Sequence, residues 1–237
     1  MSWTDGTGRM WRRLCGRGGA PAPEPTGRYA EILTDPVHCT VLALVIDGFA
    51  ATERTNTHRL TLRAGLYDVL QRALAGSGVE WEDCHRADLG EGVLVLIPAG
   101  YPKAIFSELV PGALAESLAG HNSAHRRPER IRLRVALHAG EISPDAHGAT
   151  GTAIVHTFRL LNSGVMKEAS CHAGGDLAVI ASAWFYEEII RHSPASRPDR
   201  YRRVCVKEKE TAACGWIRLL GAEEEACPDR YDDPAVG

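Results

Sequence analysis

Long apolar runs are missing from this chain of 237 residues, and nothing in it approaches the roughly 20 consecutive apolar residues that cross a bilayer. An apolar signal core is missing too: near the N-terminus stand Trp3, Trp11 and several arginines, so no secretory signal is expected. An excess of one charge sign is absent. The net charge of −3 gives no reason to expect nucleic acid or an anionic membrane as partner. Paired C-x-x-C spacings are absent as well. The seven cysteines (Cys15, Cys39, Cys84, Cys171, Cys205, Cys214, Cys227) are scattered, which signals neither a zinc site nor a disulfide framework. Reduced thiols and a cytoplasmic location follow as expectations.

What is present is enough apolar material, 44% of residues, for one sizeable core with tails. Residues 1–36 carry Gly16, Gly18, Gly19, Pro21, Pro23 and Pro25 without sustained periodicity and read as a flexible leader. Residues 222–237 hold six carboxylates against Arg230 and read as an acidic solvated tail. The domain is expected over 37–221.

Within it strands and helices alternate. Cys39 to Asp47 is a dense apolar run of strand length and reads as a buried central strand. Leu60, Leu62, Leu66, Val69, Leu70 and Leu74 fall mostly at helical spacing, with Gly76 and Gly78 as the stop. Val79–Arg86 and Val93–Ile97 read as strands joined by a glycine-rich turn. A helix is expected from Lys103 to Ala119, with Pro111 and Gly112 able to kink or split it. Ile131–His138 reads as a strand, and Ala149–Asn162 as a helix entered through Gly148 and Gly151. Leu177–Ala181 reads as a strand, with Ser182 capping a helix Ala183–His192. Tyr201–Lys207 and Trp216–Leu220 read as a closing antiparallel pair. The expected fold class is an α+β sandwich: a ferredoxin-like βαββαβ core with a C-terminal βαββ-like extension.

Four separated segments, in order, carry a resemblance. The first strand ends in Asp47-Gly48-Phe49. The turn reads Gly90-Glu91-Gly92. Leu133 to Glu141 reads LRVALHAGE. Gly151 to Leu160 reads GTAIVHTFRL. Together, over about residues 38–220, they resemble the catalytic domain of class III nucleotidyl (adenylate/guanylate) cyclases. The resemblance implies the nucleotidyl cyclase fold, a dimer with active sites at its interface, and an NTP substrate. It also implies two carboxylates holding Mg²⁺ or Mn²⁺ that activate the ribose 3′-hydroxyl for attack on the α-phosphorus. An Asn and an Arg supplied by the partner subunit would orient the ribose and stabilise developing charge.

Carried over by position, the match is incomplete. Val45 stands where the resemblance implies the first metal Asp, and Glu91 where it implies the second. Val155 replaces the orienting Asn, while Arg159 is kept as the catalytic phosphate contact. Ala87 and Gly148 occupy the base-selecting positions and offer no side chain to read a base. Gly48, Phe49 and Gly90 are the implied substrate-binding backbone, and Lys207 or Lys209 the implied phosphate lysine. Val45 and Asp47 share a strand face, so Asp47 paired with Glu91 is the available substitute metal site. The alternative is that Asp47 caps the turn and Glu91 is solvated.

Other features point less far. His121 and His125 flank a polar loop with no acidic third ligand nearby in sequence. Cys84 lies within an expected strand, and His138 ends one. Arg126, Arg127 and Arg130 lack the interleaved aromatics of a nucleic-acid surface. Trp184-Phe185-Tyr186 suits core or dimer packing. Only four of the 27 basic residues are lysine, which with the Ala and Gly content suggests a high-GC bacterial genome; separately, the resemblance extends to stand-alone cyclase-like proteins of actinobacteria.

Three functions follow as expectations. The leading one is a cyclase-homology protein with a degenerate site, regulatory in bacterial signalling, a homodimer or half of a heterodimer, binding nucleotide or a partner protein. The alternative is an active class III cyclase with a remodelled metal site at Asp47 and Glu91. The third is a ferredoxin-like ligand sensor without cyclase ancestry.

Overall fold

The structure is a computed structural model that describes residues 36–172 and 174–221. The expected leader and acidic tail lie outside the described residues, apart from Pro36. The elements run β1 (Val37–Ile46), α1 (Asn56–Gly76), β2 (His85–Asp88), β3 (Gly92–Pro98), α2 (Ile105–Glu108), α3 (Val110–Ala124) and β4 (Leu133–Asp145). They continue through β5 (Gly148–Thr150), α4 (Thr152–Asn162), α5 (Gly164–His172), β6 (Leu177–Ser182), α6 (Ala183–Glu188), β7 (Arg202–Glu208) and β8 (Thr211–Leu220).

The main sheet has the order β2-β3-β1-β4-β6-β8-β7, with β5 paired to β4 alone. β4 and β6 are parallel; the other pairs are antiparallel. The first half, β1-α1-β2-β3-α3-β4 in sheet order β2-β3-β1-β4, is the expected ferredoxin-like core. β1 lies between β3 and β4 with both faces covered, which is why Val41 to Ile46 is continuously apolar rather than alternating. Leu42, Leu44 and Ile46 join the core under α1, α3 and α6. Cys39, Val41, Ala43 and Val45 join the opposite core under α4 and α5.

Five expectations need correction. Val79–Arg86 is not one strand: a 3-10 turn at Trp81–Asp83 intervenes, and β2 starts only at His85. Arg86 bonds the Cys84 carbonyl at 3.0 Å and stacks its guanidinium 4.3 Å from the Trp81 ring, holding that turn. The helix expected from Lys103 to Ala119 is two, divided at Leu109, with Pro111 in the first turn of α3, where its missing N–H costs nothing. α3 then runs on to Ala124 and takes in His121, so His121 and His125 do not flank a loop. The His121 ring packs against Gly65 of α1, where any Cβ would meet it at 2.4 Å, and its Nε2 lies 3.0 Å from the Glu129 carbonyl oxygen. Gly148–Thr150 is a strand, so α4 begins at Thr152. α6 stops at Glu188, and a 3-10 turn covers Ile190–His192. α5 has no counterpart in the sequence reading.

Candidate functional site

The strand ladder places Asp47, one residue past β1, beside the β2–β3 turn. Ile46 N–H donates to the Glu91 carbonyl at 3.0 Å, and Val45 pairs with Gly92. That approach needs glycine at 92, because a Cβ there would meet the Leu44 carbonyl oxygen at 2.1 Å. Gly90 turns the chain with φ +82°, a left-handed conformation that glycine adopts without strain.

Asp88 shapes this turn. Its carboxylate accepts from the Gly90 N–H at 2.7 Å, from Arg63 at 2.9 Å and from the Tyr67 hydroxyl at 2.9 Å. The Arg63 hydrogen bond, chiefly, holds the Asp88 carboxyl down to about 2. Sequence reasoning passed over Asp88. The signal was an Asp two residues before a turn glycine, the pattern of a side chain closing on its own backbone.

Asp47 lies on the same face as Val45, as strand parity predicts, but its carboxylate is occupied. Arg134 of β4 makes an ion pair with it, and the Ser170 hydroxyl of α5 donates to it. Its N–H donates to the Arg132 carbonyl at 2.8 Å, and its carbonyl accepts from Arg54 at 3.2 Å. Arg134, 7% exposed, also donates to the Leu161 carbonyl at 2.6 Å, tying β1, β4, α4 and α5 together. Glu91 is exposed, and no hydrogen bond or ion pair holds its side chain among the described residues. Val45 is 7% exposed and packs in the α4/α5 core. Phe49 is half-buried against the other core, with its carbonyl accepting from Arg59 at 3.3 Å, and Gly48 turns with φ +64°. Among the described residues, no three His, Cys, Asp or Glu side chains form a group that could hold a metal ion.

Arg159 stands apart from Asp47 and Glu91. Its guanidinium pairs with Glu210 and donates to the Glu208 carbonyl at 3.4 Å, at the β7–β8 turn. Lys207 and Lys209 lie near the same turn and are exposed, but Val206 faces α4, so strand parity turns Lys207 to the opposite face from Arg159. The ladder puts Leu133, Leu177 and Leu220 at the Asp47 end, whereas β8 before Gly215 projects past Ser182 at the other. Asp47 and the lysine hairpin therefore occupy opposite ends of the sheet within one chain. Val155, one helical turn before Arg159, is half exposed to solvent.

A histidine cluster sits midway along β4, where its pairing with β6 ends. His138 Nδ1 and the Ser182 hydroxyl share a 2.8 Å hydrogen bond, and the His156 and Trp184 rings stand edge-on at 4.9 and 6.4 Å. Burial, then His156 and His38, push His138 down to about 4. Cys84 is fully buried, and its thiol is pushed up to about 12, which leaves it inert as a nucleophile.

This architecture is that of solved nucleotidyl cyclases. The guanylyl cyclase Cya2 matches 81% of this chain and 97% of its own at TM-score 0.55 and 15% identity. An adenylate/guanylate cyclase/hydrolase from Silicibacter pomeroyi matches 78% of this chain and 98% of its own, at TM-score 0.56 and 18% identity. The catalytic core of a rhodopsin-guanylyl cyclase with converted specificity, solved with ATPalphaS, matches 78% and 96% at TM-score 0.52 and 11% identity. Identities this low establish the shared fold alone. The class is thus defined: a mixed α+β domain with the nucleotidyl cyclase fold. No protein-family model and no curated protein matches the sequence. No helix among the described residues is long and apolar enough to cross a membrane.

Proposed function

We propose that this chain is a cyclase-fold protein that binds a nucleotide or a partner chain, as a homodimer or half of a heterodimer in bacterial signalling, without cyclising an NTP. The observation that carries this reading is the engagement of the Asp47 carboxylate by Arg134 and Ser170. A class III cyclase draws on Mg²⁺ or Mn²⁺ held by two carboxylates, and this donor set does not fit. Val45 cannot ligate, Asp47 is neutralised by a buried guanidinium, and Glu91 stands in solvent.

The competing reading, an active cyclase with Asp47 and Glu91 as a remodelled metal pair, needs Asp47 to release Arg134. That would strand a buried charge at a cost of about 3–5 kcal/mol. The binding reading uses what remains. Arg159, paired with Glu210, and the exposed Lys209 at the same turn are the cations available to a phosphate, while Ala87 and Gly148 offer nothing to select a base. Purified protein incubated with each of the four NTPs and Mg²⁺ or Mn²⁺ is expected to yield no cyclic nucleotide. A cyclic product from the chain alone, abolished by Glu91→Ala, would establish the competing reading instead.

A further inference from the structure

Among the described residues, Cys205 and Cys214 are free thiols that face each other across a hairpin. Cys205 of β7 and Cys214 of β8 are direct register partners in the antiparallel ladder. The loop between these strands is two residues, Lys209 and Glu210, closed by the pair Glu208 and Thr211. Hydrogen-bonded and non-hydrogen-bonded pairs alternate away from such a turn. Glu208/Thr211 and Val206/Ala213 are then hydrogen-bonded, and Cys205/Cys214 falls on a non-hydrogen-bonded position. There the Cα atoms approach to about 4.5 Å, the closer of the two spacings. That lies within the span a disulfide bridges, roughly 4.4–6.8 Å.

Val204 and Val206 take the face toward α4 and α5, so the two cysteines point to the other side of the ribbon. Cys205 is exposed and Cys214 partly so. Arg203 donates to the Cys214 sulfur at 3.3 Å, which puts a fixed positive charge beside it. β8 pairs with β6 only from Gly215 onward, so at the cysteine pair β7 and β8 form a two-stranded ribbon projecting beyond the sheet. A sulfur–sulfur bond there needs side-chain rotation and a small ribbon twist, not repacking of the core. Cys39 and Cys84 are fully buried and have no comparable access.

We propose that Cys205 and Cys214 form a reversible cross-strand disulfide, with a hydroperoxide as oxidant. The Cys214 sulfur attacks one peroxide oxygen. The S–O bond forms, the O–O bond breaks, and the other oxygen leaves as water or alcohol with the thiol proton. Cys205 then attacks the sulfenyl sulfur; the S–S bond forms, the S–O bond breaks, and the hydroxyl leaves as water with the second thiol proton. Two electrons pass from the thiols to the peroxide. A thiol reductant reverses the change by exchange at the exposed Cys205. The bridge staples the ribbon three residues before the turn that holds Arg159 through Glu208 and Glu210.

The test takes full-length reduced protein through hydrogen peroxide, alkylation of remaining thiols and trypsin digestion without reductant. Peptides 204–207 and 210–218 are expected as one disulfide-linked species that dithiothreitol separates. It should be lost in Cys205→Ser and kept in Cys171→Ser. Full alkylation of both cysteines after peroxide, sulfinic acid on either one, or linkage of either to another cysteine would overturn the proposal.

Discussion

Arg134 grips the Asp47 carboxylate from the next strand, with its guanidinium almost wholly buried and its other arm on the Leu161 carbonyl. This one pair decides how the end of β1 behaves, because it makes Asp47 a structural anchor. Removing half of a buried pair leaves the other charge unpaired in low dielectric, a far larger penalty than breaking a surface bridge.

Asp47→Ala should therefore destabilise the domain by about 3 kcal/mol. Asp47→Asn, which can keep the Ser170 hydrogen bond, should cost less, and Ser170→Ala about 1 kcal/mol. Urea unfolding of the three variants against wild type measures this ranking. Equal losses for Asp47→Ala and Ser170→Ala would mean that the ion pair contributes nothing beyond one hydrogen bond.

Glu91 should behave as a solvated carboxylate. Glu91→Ala should change stability by less than about 0.5 kcal/mol, as surface substitutions do. The shift in melting temperature on adding Mg²⁺ or Mn²⁺ should be the same in wild type and in Glu91→Ala. A cation-induced shift that disappears in the variant would place Glu91 among metal ligands.

His138 should make stability fall on acidification. Its folded value of about 4 lies below the ordinary 6.5, so between those values the unfolded chain binds the proton that the native state refuses. Its contribution is present at pH 7 and is lost as pH drops through that window. His85, His121 and His156 are lowered in the same direction by burial and add to the slope. His138→Gln cannot titrate, so its stability deficit relative to wild type should shrink by about 1 kcal/mol from pH 7 to pH 5, with solvent screening taken into account. Denaturant midpoints at the two pH values read this directly; an unchanged deficit would mean that His138 titrates normally.

Much of the fold was legible in linear order. β1 declares itself because a strand covered on both faces is apolar nearly throughout, and from Cys39 to Ile46 only Thr40 is polar. α1 declares itself through leucines at helical spacing, and Ser182 through its side chain, which accepts from the Phe185 N–H at 3.1 Å. The substitutions Val45 and Val155 needed no coordinates either, since a valine side chain has no donor atom in any environment. α5 was invisible: only Val165, Met166 and Ala169 mark its apolar side, and that stripe becomes a core face once Met166 is buried under the sheet.

The sequence by itself determined the central strand, α1 and the order of the main elements, without α5 and β5. Strand parity also determined that Asp47 shares the face of Val45. Only tertiary structure decided what that carboxylate meets. Arg134 is 87 residues away in sequence and Ser170 123, and no local periodicity encodes a partner at such separation. The same holds for Arg159, whose contacts lie 49 and 51 residues on, and for Cys205 and Cys214, whose pairing depends on where a two-residue turn falls. Periodicity reports which face a residue takes; the register of distant segments chooses its neighbours, and charge pairing, metal ligation and disulfide chemistry depend on neighbours.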